Sequence, residues 1–169
     1  MSMQLNVDGM LDVLNHNRVE YLVVGGMNFL IRHEPILTYD LDVWIHDTTD
    51  NRARCITALH ELGASWGESE SLWQQVGLMK GDWLLRQSVF SLLTRHGALD
   101  VFRSMAGLIS WEESVRQAVV AQTSGGITFR GLSDADMLAC QEALDESERK
   151  LDRIRILRRA IERGKHEPR

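Results

Sequence analysis

Two aspartates stand two positions apart in an otherwise apolar stretch, and this spacing restricts what the stretch can fold into. Asp40 and Asp42 alternate with Leu41, Val43 and Ile45, a pattern that predicts a β-strand. Because strand side chains point alternately to the two faces of a sheet, both carboxylates would share one face and the apolar residues the other. Neighbouring like charges repel each other, so the pair indicates either an exposed charged face or a site for a cation such as Mg²⁺.

A third aspartate and a pair of glycines occur in patterns that suit phosphate chemistry. Asp100 lies in the apolar run Gly97–Phe102, which predicts another strand. Gly25 and Gly26 follow the apolar run Tyr21–Val24. A double glycine lets backbone amides approach a phosphate that a side chain would block, although by itself the pair is more often an ordinary strand-to-helix turn. The three features together favour a metal-dependent phosphoryl-transfer site.

Length and composition are those of a globular chain. A chain of 169 residues fits one domain, which we expect to span residues 1–169. No apolar run approaches the length of a membrane span, and no basic region followed by an apolar stretch begins the chain, so we expect a cytoplasmic protein without membrane contact. Cys55 and Cys140 have no partner motif nearby and are expected to be reduced thiols.

Charge is distributed unevenly along the chain. Residues 1–148 carry 10 Lys and Arg against 21 Asp and Glu, a net −11, whereas residues 149–169 carry 9 against 3, a net +6. Apolar residues recur at spacings of three and four in the basic segment, which predicts an amphipathic final helix over about 148–163. Its basic face is either solvated, with ion pairs to the acidic body, or a contact for an anionic partner.

Local signals predict several further helices. A short helix over 27–31 would leave the glycine turn. Thr49 or Asp50 is placed to cap a helix that runs to Leu62. Ser133 begins a capping box for the next helix.

The remaining segments complete an alternation of helices and strands. Residues 119–130 predict a hairpin around a Ser-Gly-Gly turn. Residues 83–93 fit a strand or a helix equally well, and both assignments stay open. The order of elements predicts an α+β (α/β) fold in which a small mixed β-sheet is flanked by helices, with helices at the C-terminal end.

The signature formed by these residues resembles the minimal nucleotidyltransferases, which belong to the polymerase-beta-like superfamily. Its parts are Val24-Gly25-Gly26, a helical spacer, Asp40-Leu41-Asp42 and the later Asp100. The first two parts look especially like stand-alone bacterial members found in toxin–antitoxin and phage-defence loci. The resemblance covers roughly residues 7–157, and its specific part is the three-piece signature.

The resemblance implies an enzyme that transfers a nucleoside monophosphate from a nucleoside triphosphate (NTP), such as ATP, to a hydroxyl. It implies that Asp40 and Asp42 hold two Mg²⁺ or Mn²⁺ ions together with the triphosphate. Asp100 would complete the metal site and help to deprotonate the acceptor, and Gly25 and Gly26 would face the phosphates.

The resemblance leaves the acceptor open. It implies the end of an RNA or a protein side chain, with a cognate partner protein in a toxin–antitoxin or defence setting. Transfer to a small antibiotic is one alternative, and a catalytically degenerate module that only binds a partner or nucleotide is another.

Two residues beside the first aspartates are further candidates. Thr38 is placed to hydrogen-bond a ligand or phosphate, although a β-branched residue also suits a strand for its own sake. Trp44 shares the carboxylate face and is a candidate contact for a nucleotide base, although tryptophans are more often core residues.

The chain departs from the resembled family at two basic positions. Relatives often carry Arg four residues before the first aspartate, where this chain has Ile36, and Lys in the helix after Ser133, which here offers Gln141. Arg149 and Lys150 are candidates to replace these cations. The arginines that follow are interpreted as a solvated face, namely Arg153, Arg155, Arg158 and Arg159.

Overall fold

A computed structural model describes residues 5–67 and 73–166 of the chain. Within these ranges the α-helices are α1 Val7–His16, α2 Gly25–Arg32, α3 Thr49–Glu61, α4 Trp111–Gln117, α5 Asp134–Glu142 and α6 Leu151–His166. The strands are β1 Tyr21–Val24, β2 Asp40–Ile45, β3 Ser65–Trp66, β4 Gln74–Gln75, β5 Val89–Thr94, β6 Gly97–Phe102, β7 Val119–Gln122 and β8 Thr128–Gly131.

These strands form one mixed sheet in the described part of the chain, in the order β4-β3-β5-β6-β2-β1-β8-β7. Strand β2 runs parallel to β6, and β1 runs parallel to β8, whereas the other neighbours are antiparallel. The predicted mixed sheet flanked by helices is therefore confirmed. The register of β2 on β6 places Asp42 directly opposite Asp100, which positions the site described below.

The two faces of the sheet pack into separate cores. On one face, Leu41, Val43 and Ile45 of β2 are fully buried among residues of α1 and α3. On the other face, Val24 and Trp44 join a smaller cluster that includes residues of α2, α5 and α6. Since burying a large aliphatic side chain contributes about 1.5–3 kcal/mol, the alternation in β2 fixes which face carries the aspartates.

Side chains cap several of the helices. Thr48 accepts a hydrogen bond from the Asn51 amide at 3.2 Å, so the residue that caps α3 lies one position before the earlier of the two predicted caps, Thr49 and Asp50. Ser133 accepts from the Asp136 amide at 3.1 Å, as the capping box predicted. Helix α2, in contrast, has Val24 at its N-cap position and no side-chain cap.

The structure settles one segment that the sequence left open, residues 83–93, and moves the start of two predicted helices. Residues 83–86 form a short 3₁₀ turn and β5 follows, with Phe90 and Leu92 buried on one face of the strand. Helix α2 begins at Gly25, two residues before the predicted start. Helix α6 runs over Leu151–His166, about three residues later than predicted, because residues 146–148 form a separate 3₁₀ turn.

Two further predictions from the sequence can be compared with the structure. The hairpin is confirmed, since β7 and β8 pair antiparallel. None of the helices in the described ranges is long and apolar enough to cross a membrane.

Candidate active site

The structure brings the three predicted aspartates together at the centre of the sheet. Asp40 and Asp42 lie on the same side of β2, and Asp100 lies on the adjacent β6. One carboxylate oxygen from each residue lies within 4.8 Å of the other two. The parallel pairing of β2 with β6 is the tertiary contact that produces this cluster.

Electrostatic repulsion and burial act together on these carboxyl groups. Burial, followed by the charges of Asp40 and Asp100, raises the pKa of Asp42 to about 8. Burial and the charge of Asp40 also raise the pKa of Asp100. The Oδ1 atom of Asp42 is buried and has no hydrogen-bond partner among the described residues. An unpaired buried oxygen in an acidic cluster is a position where a cation restores lost interactions.

The donor set fits a hard divalent cation. Three carboxylates at this spacing supply the oxygen ligands that Mg²⁺ and Mn²⁺ prefer. The buried Oδ1 atom of Asp42 would be available to such a cation, because it has no hydrogen-bond donor among the described residues. Asp40, Asp42 and Asp100 are therefore the residues that would hold such an ion.

The glycine pair lies directly beside this cluster. Gly25 adopts a φ of +68°, and a Cβ atom there would lie 2.2 Å from Asp42 Oδ2. Any other residue at this position would be strained and would collide with the carboxylate. A Cβ atom on Gly26 would lie 3.2 Å from the hydroxyl oxygen of Thr38. The first turn of α2 is thus free of side chains where it faces the acidic residues.

Thr38 belongs to the same small polar space. It precedes β2, and its hydroxyl donates a long hydrogen bond of 3.4 Å to the carbonyl of Asp40. The predicted ligand contact of Thr38 is compatible with this position, because a phosphate near Gly26 would lie within reach of the hydroxyl.

Arg153 is a residue of the site that the sequence analysis placed wrongly. Its guanidinium lies 5.8 Å from the ring centre of Phe29 and 3.5 Å from the Cβ position of Gly26. Burial lowers the pKa of Arg153, and its charge acts on Asp42. The available signal was its spacing, because Arg153 stands four residues before the buried Leu157 and hence on the same side of α6.

The other basic residues near the start of α6 have structural or solvent-exposed roles. The guanidinium of Arg149 donates to the carbonyls of Leu144 and Glu142 and closes the end of α5. The predicted use of Arg149 as a replacement cation is therefore wrong, because its donors are engaged there. Lys150 is exposed, and its backbone amide donates to the side chain of Gln141.

Packing and exposure decide the roles of the remaining candidate residues. Ile36 packs against the second core, so its position offers an apolar contact and no cation. The Arg155 and Arg158 side chains are 64% and 63% exposed, as the solvated-face interpretation predicts. Trp44 is buried edge-on against Trp111, so the predicted base contact is wrong and Trp44 is a core residue.

A cavity of about 520 Å³ opens beside the acidic cluster. Gly25, Asp42 and Arg153 line one part of it, and the rest of the wall is predominantly apolar. The apolar part includes Phe29, Phe102, Met105, Met137 and Leu144. A ligand that fills the cavity would have its charged end at the aspartates and an uncharged part against the apolar wall.

The fold of the chain is shared with solved structures of nucleotidyltransferases. No protein-family model and no curated protein sequence matches the chain. Among solved structures, the lincosamide antibiotic adenylyltransferase LnuA matches with a TM-score of 0.59 at 14% identity, over 92% of this chain and 98% of LnuA.

Two further solved structures show the same fold. ANT(2")-Ia, in complex with adenylyl-2"-tobramycin, matches with a TM-score of 0.57 at 12% identity, over 94% of this chain and 89% of its own. A Thermotoga maritima protein classed as a nucleotidyltransferase matches with a TM-score of 0.51 at 12% identity, over 95% and 91%. At these identities the comparison establishes a shared fold.

Proposed function

We propose that the protein is a metal-dependent nucleotidyltransferase that moves a nucleoside monophosphate from an NTP to a hydroxyl acceptor. The observation that carries the proposal is the cluster of Asp40, Asp42 and Asp100, whose oxygens lie within 4.8 Å of one another. This cluster lies beside a glycine turn, in a fold shared with nucleotidyltransferases.

The reaction requires one bond to form and one to break at the α-phosphorus. The acceptor oxygen bonds to the α-phosphorus while the bond from phosphorus to the pyrophosphate oxygen breaks, and pyrophosphate leaves. When bound, Mg²⁺ or Mn²⁺ neutralises charge on the phosphate oxygens and orients them. Asp40 and Asp42 would hold the metal ions that accompany the triphosphate. Asp100 accepts the proton of the acceptor hydroxyl and completes the metal site.

The intact acidic cluster favours catalysis over a degenerate binding module. Two or more uncompensated carboxylates at this spacing destabilise a fold. Asp42 is also largely buried, which increases the cost of its charge. A chain that no longer used a metal would gain stability by losing one of these acids, yet Asp40, Asp42 and Asp100 are all present.

For the acceptor, we infer the end of an RNA or a protein side chain in a toxin–antitoxin or defence setting, with a cognate partner protein. The support is the likeness of two sequence segments, residues 22–26 and 38–45, to stand-alone bacterial members of that kind. This assignment of the acceptor rests on sequence resemblance alone.

A small-molecule hydroxyl is the second candidate acceptor, and two observations favour it. The cavity beside Asp42 has a volume of about 520 Å³, which suits a small ligand. Two structures with this fold are the lincosamide adenylyltransferase LnuA, solved with lincomycin bound, and ANT(2")-Ia, solved with an adenylylated tobramycin.

The deciding experiment measures the transfer of ³²P from the α-phosphate of each NTP to an acceptor. The purified protein is incubated with Mg²⁺ and either a bacterial extract or a panel of aminoglycosides and lincosamides. We expect label in one product, and its loss by about 100-fold or more in Asp42→Asn. Asp12→Asn is the matched control, because Asp12 is an exposed residue of α1.

The destination of the label distinguishes the acceptors. Label in an RNA or protein band supports the macromolecular acceptor, and label in a small product supports the second candidate. Transfer that survives Asp42→Asn, or a complete lack of transfer by the wild-type protein, would contradict the proposed function.

A further inference from the structure

The N-terminal part of α6 directs one arginine into the site and another into solvent. Arg153 lines the cavity together with Asp42 and Gly25. Arg155, two residues later, is 64% exposed and lies 3.6 Å from Asp152. The two residues carry the same charge and lie two positions apart in α6, so their different positions come from the packing of the helix.

The guanidinium of Arg153 is held in place by its neighbours. It lies over the face of Phe29 at 5.8 Å from the ring centre, a cation–π contact. One turn further along α6, Leu157 is buried in the second core. The burial of Leu157 fixes the side of α6 that faces this core, and the contact with Phe29 places the guanidinium near the start of α2, close to Gly26.

Arg153 supplies the positive charge that its surroundings otherwise lack. Among the described residues that line the cavity, it is the one cation. Ile36 and Gln141, at the two positions where the resembled family often carries a cation, are uncharged. Ile36 packs in the second core, and the side-chain oxygen of Gln141 accepts the Lys150 amide. The positively charged side chain available to a bound triphosphate in this cavity is therefore Arg153 of α6.

The neighbours of Arg153 indicate which phosphates it reaches. Its guanidinium lies near Gly26, whose open side also faces the hydroxyl of Thr38. In the sheet, β2 separates β6, which carries Asp100, from β1, which leads into the Gly25–Gly26 turn beside Arg153. Asp100 faces the acceptor in the proposed reaction, so Arg153 lies on the opposite, leaving-group side.

We propose that Arg153 binds the β- and γ-phosphates of the NTP and takes the place of the cations missing at Ile36 and Gln141. A guanidinium suits this role, because it donates two parallel hydrogen bonds to phosphate oxygens and keeps its charge at all relevant pH values. The inference rests on the proposed function in one respect, namely that the site takes an NTP.

The test compares nucleotide affinities of wild-type protein, Arg153→Gln, Arg153→Lys and the matched control Arg155→Gln. Calorimetry with Mg²⁺ and each of the four α,β-methylene NTPs measures binding without turnover, and the corresponding monophosphates are titrated in parallel. We expect Arg153→Gln to lose about 10- to 100-fold in triphosphate affinity. Its monophosphate affinity should change by less than about 3-fold, since the β- and γ-phosphates are absent.

The two other variants test charge and position. Arg153→Lys keeps the charge without the planar fork, so it should recover part of the triphosphate affinity. Arg155→Gln should bind both nucleotides like the wild-type protein. Thermal melting of all four proteins shows whether the variants keep the fold, and the difference between triphosphate and monophosphate remains informative even if Arg153→Gln is less stable.

Several outcomes would overturn the inference. Unchanged triphosphate affinity in Arg153→Gln would do so, and so would an equal loss for triphosphate and monophosphate, which would indicate a structural role. Triphosphate binding that depends on Arg153, combined with no transfer by the wild-type protein, would contradict the proposed function and support this inference. A wild-type protein that binds none of the four triphosphates would contradict both.

Discussion

At the scale of single residues, the site consists of charged groups whose burial without a ligand lowers the stability of the folded protein. Asp42 is surrounded by Asp40, Asp100 and apolar neighbours, and one of its oxygens is buried without a hydrogen bond among the described residues. Arg153 is the nearby positive charge that acts on it. A buried charge with incomplete partners costs stability, so substitutions of these residues should separate stability from activity.

Replacing Asp42 with Asn should stabilise the metal-free protein at neutral and alkaline pH. The pKa of Asp42 is raised from 3.8 to about 8 in the folded protein. The folded state therefore holds a proton that the unfolded state releases. The free energy of unfolding is therefore highest, as far as Asp42 is concerned, below about pH 4, where both states are protonated. It falls as the pH rises to about 8, because over this range only the unfolded state releases the proton. Asn does not titrate, so the free energy of unfolding of the variant does not fall with pH for this reason.

The measurement is urea unfolding in EDTA at several pH values. Asp42→Asn should exceed the wild-type protein by about 1–3 kcal/mol at pH 8, and the difference should shrink towards pH 5. Asp12→Asn, on an exposed surface of α1, should show no such trend. A difference that grows as the pH falls would contradict the raised pKa.

At the scale of elements, the sequence predicted those parts of the site that depend on short-range patterns. The alternation around Asp40 and Asp42 predicted β2, and the apolar run around Asp100 predicted β6, because a strand period is visible within six residues. Burial on the first face of β2 is complete, as Leu41 shows. The pairing of β2 with β6, which brings the acids together, is a tertiary contact.

The parts that could not be predicted depend on long-range packing or on competing local signals. Residues 83–94 combine a 3₁₀ turn with a strand, so no single period describes them. The role of Arg153 depends on how α6 lies against α2, which no local pattern contains. Arg149 was placed wrongly because its partners are the carbonyls of Glu142, the last residue of α5, and of Leu144 just after it, and these become available only where that helix ends.

The turn between β1 and α2 provides a prediction at this scale. Gly25→Ala would introduce both backbone strain and a collision, because φ is +68° and the new Cβ would lie 2.2 Å from Asp42 Oδ2. Gly63 is a matched control, with a φ of +61° and no atom near its Cβ position. Each substitution should cost about 1 kcal/mol in stability through strain.

The two variants should differ in activity. Gly25→Ala displaces Asp42 or the start of α2, so transfer of label should fall by about 10-fold or more. Gly63→Ala should transfer label like the wild-type protein while losing about 1 kcal/mol of stability in urea unfolding, the cost of backbone strain alone. Equal activity of the two variants would contradict a functional role for the close approach of Gly25 to Asp42.

At the scale of the whole molecule, the acidic site places mutually repelling carboxylates on two neighbouring strands at the centre of the sheet. Strands β2 and β6 are neighbours in the middle of the sheet, with Asp42 and Asp100 directly opposed. Residues 1–148 also carry a net charge of −11, which attracts divalent cations from solution. Binding a cation at this position relieves repulsion at the centre of the sheet and should stabilise the entire fold.

Mg²⁺ and Mn²⁺ should therefore raise the melting temperature of the wild-type protein. A ligand present at about 100 times its dissociation constant stabilises the folded state by about 2.7 kcal/mol, which corresponds to a rise of several degrees in a domain of this size. Melting curves in EDTA and in increasing Mg²⁺ measure the effect, with matched NaCl to separate screening from binding. Asp42→Asn should lose most of the rise and Asp12→Asn should keep it. An equal rise in both variants would mean that the cation acts on the general negative charge, and the acidic cluster would then not be a metal site.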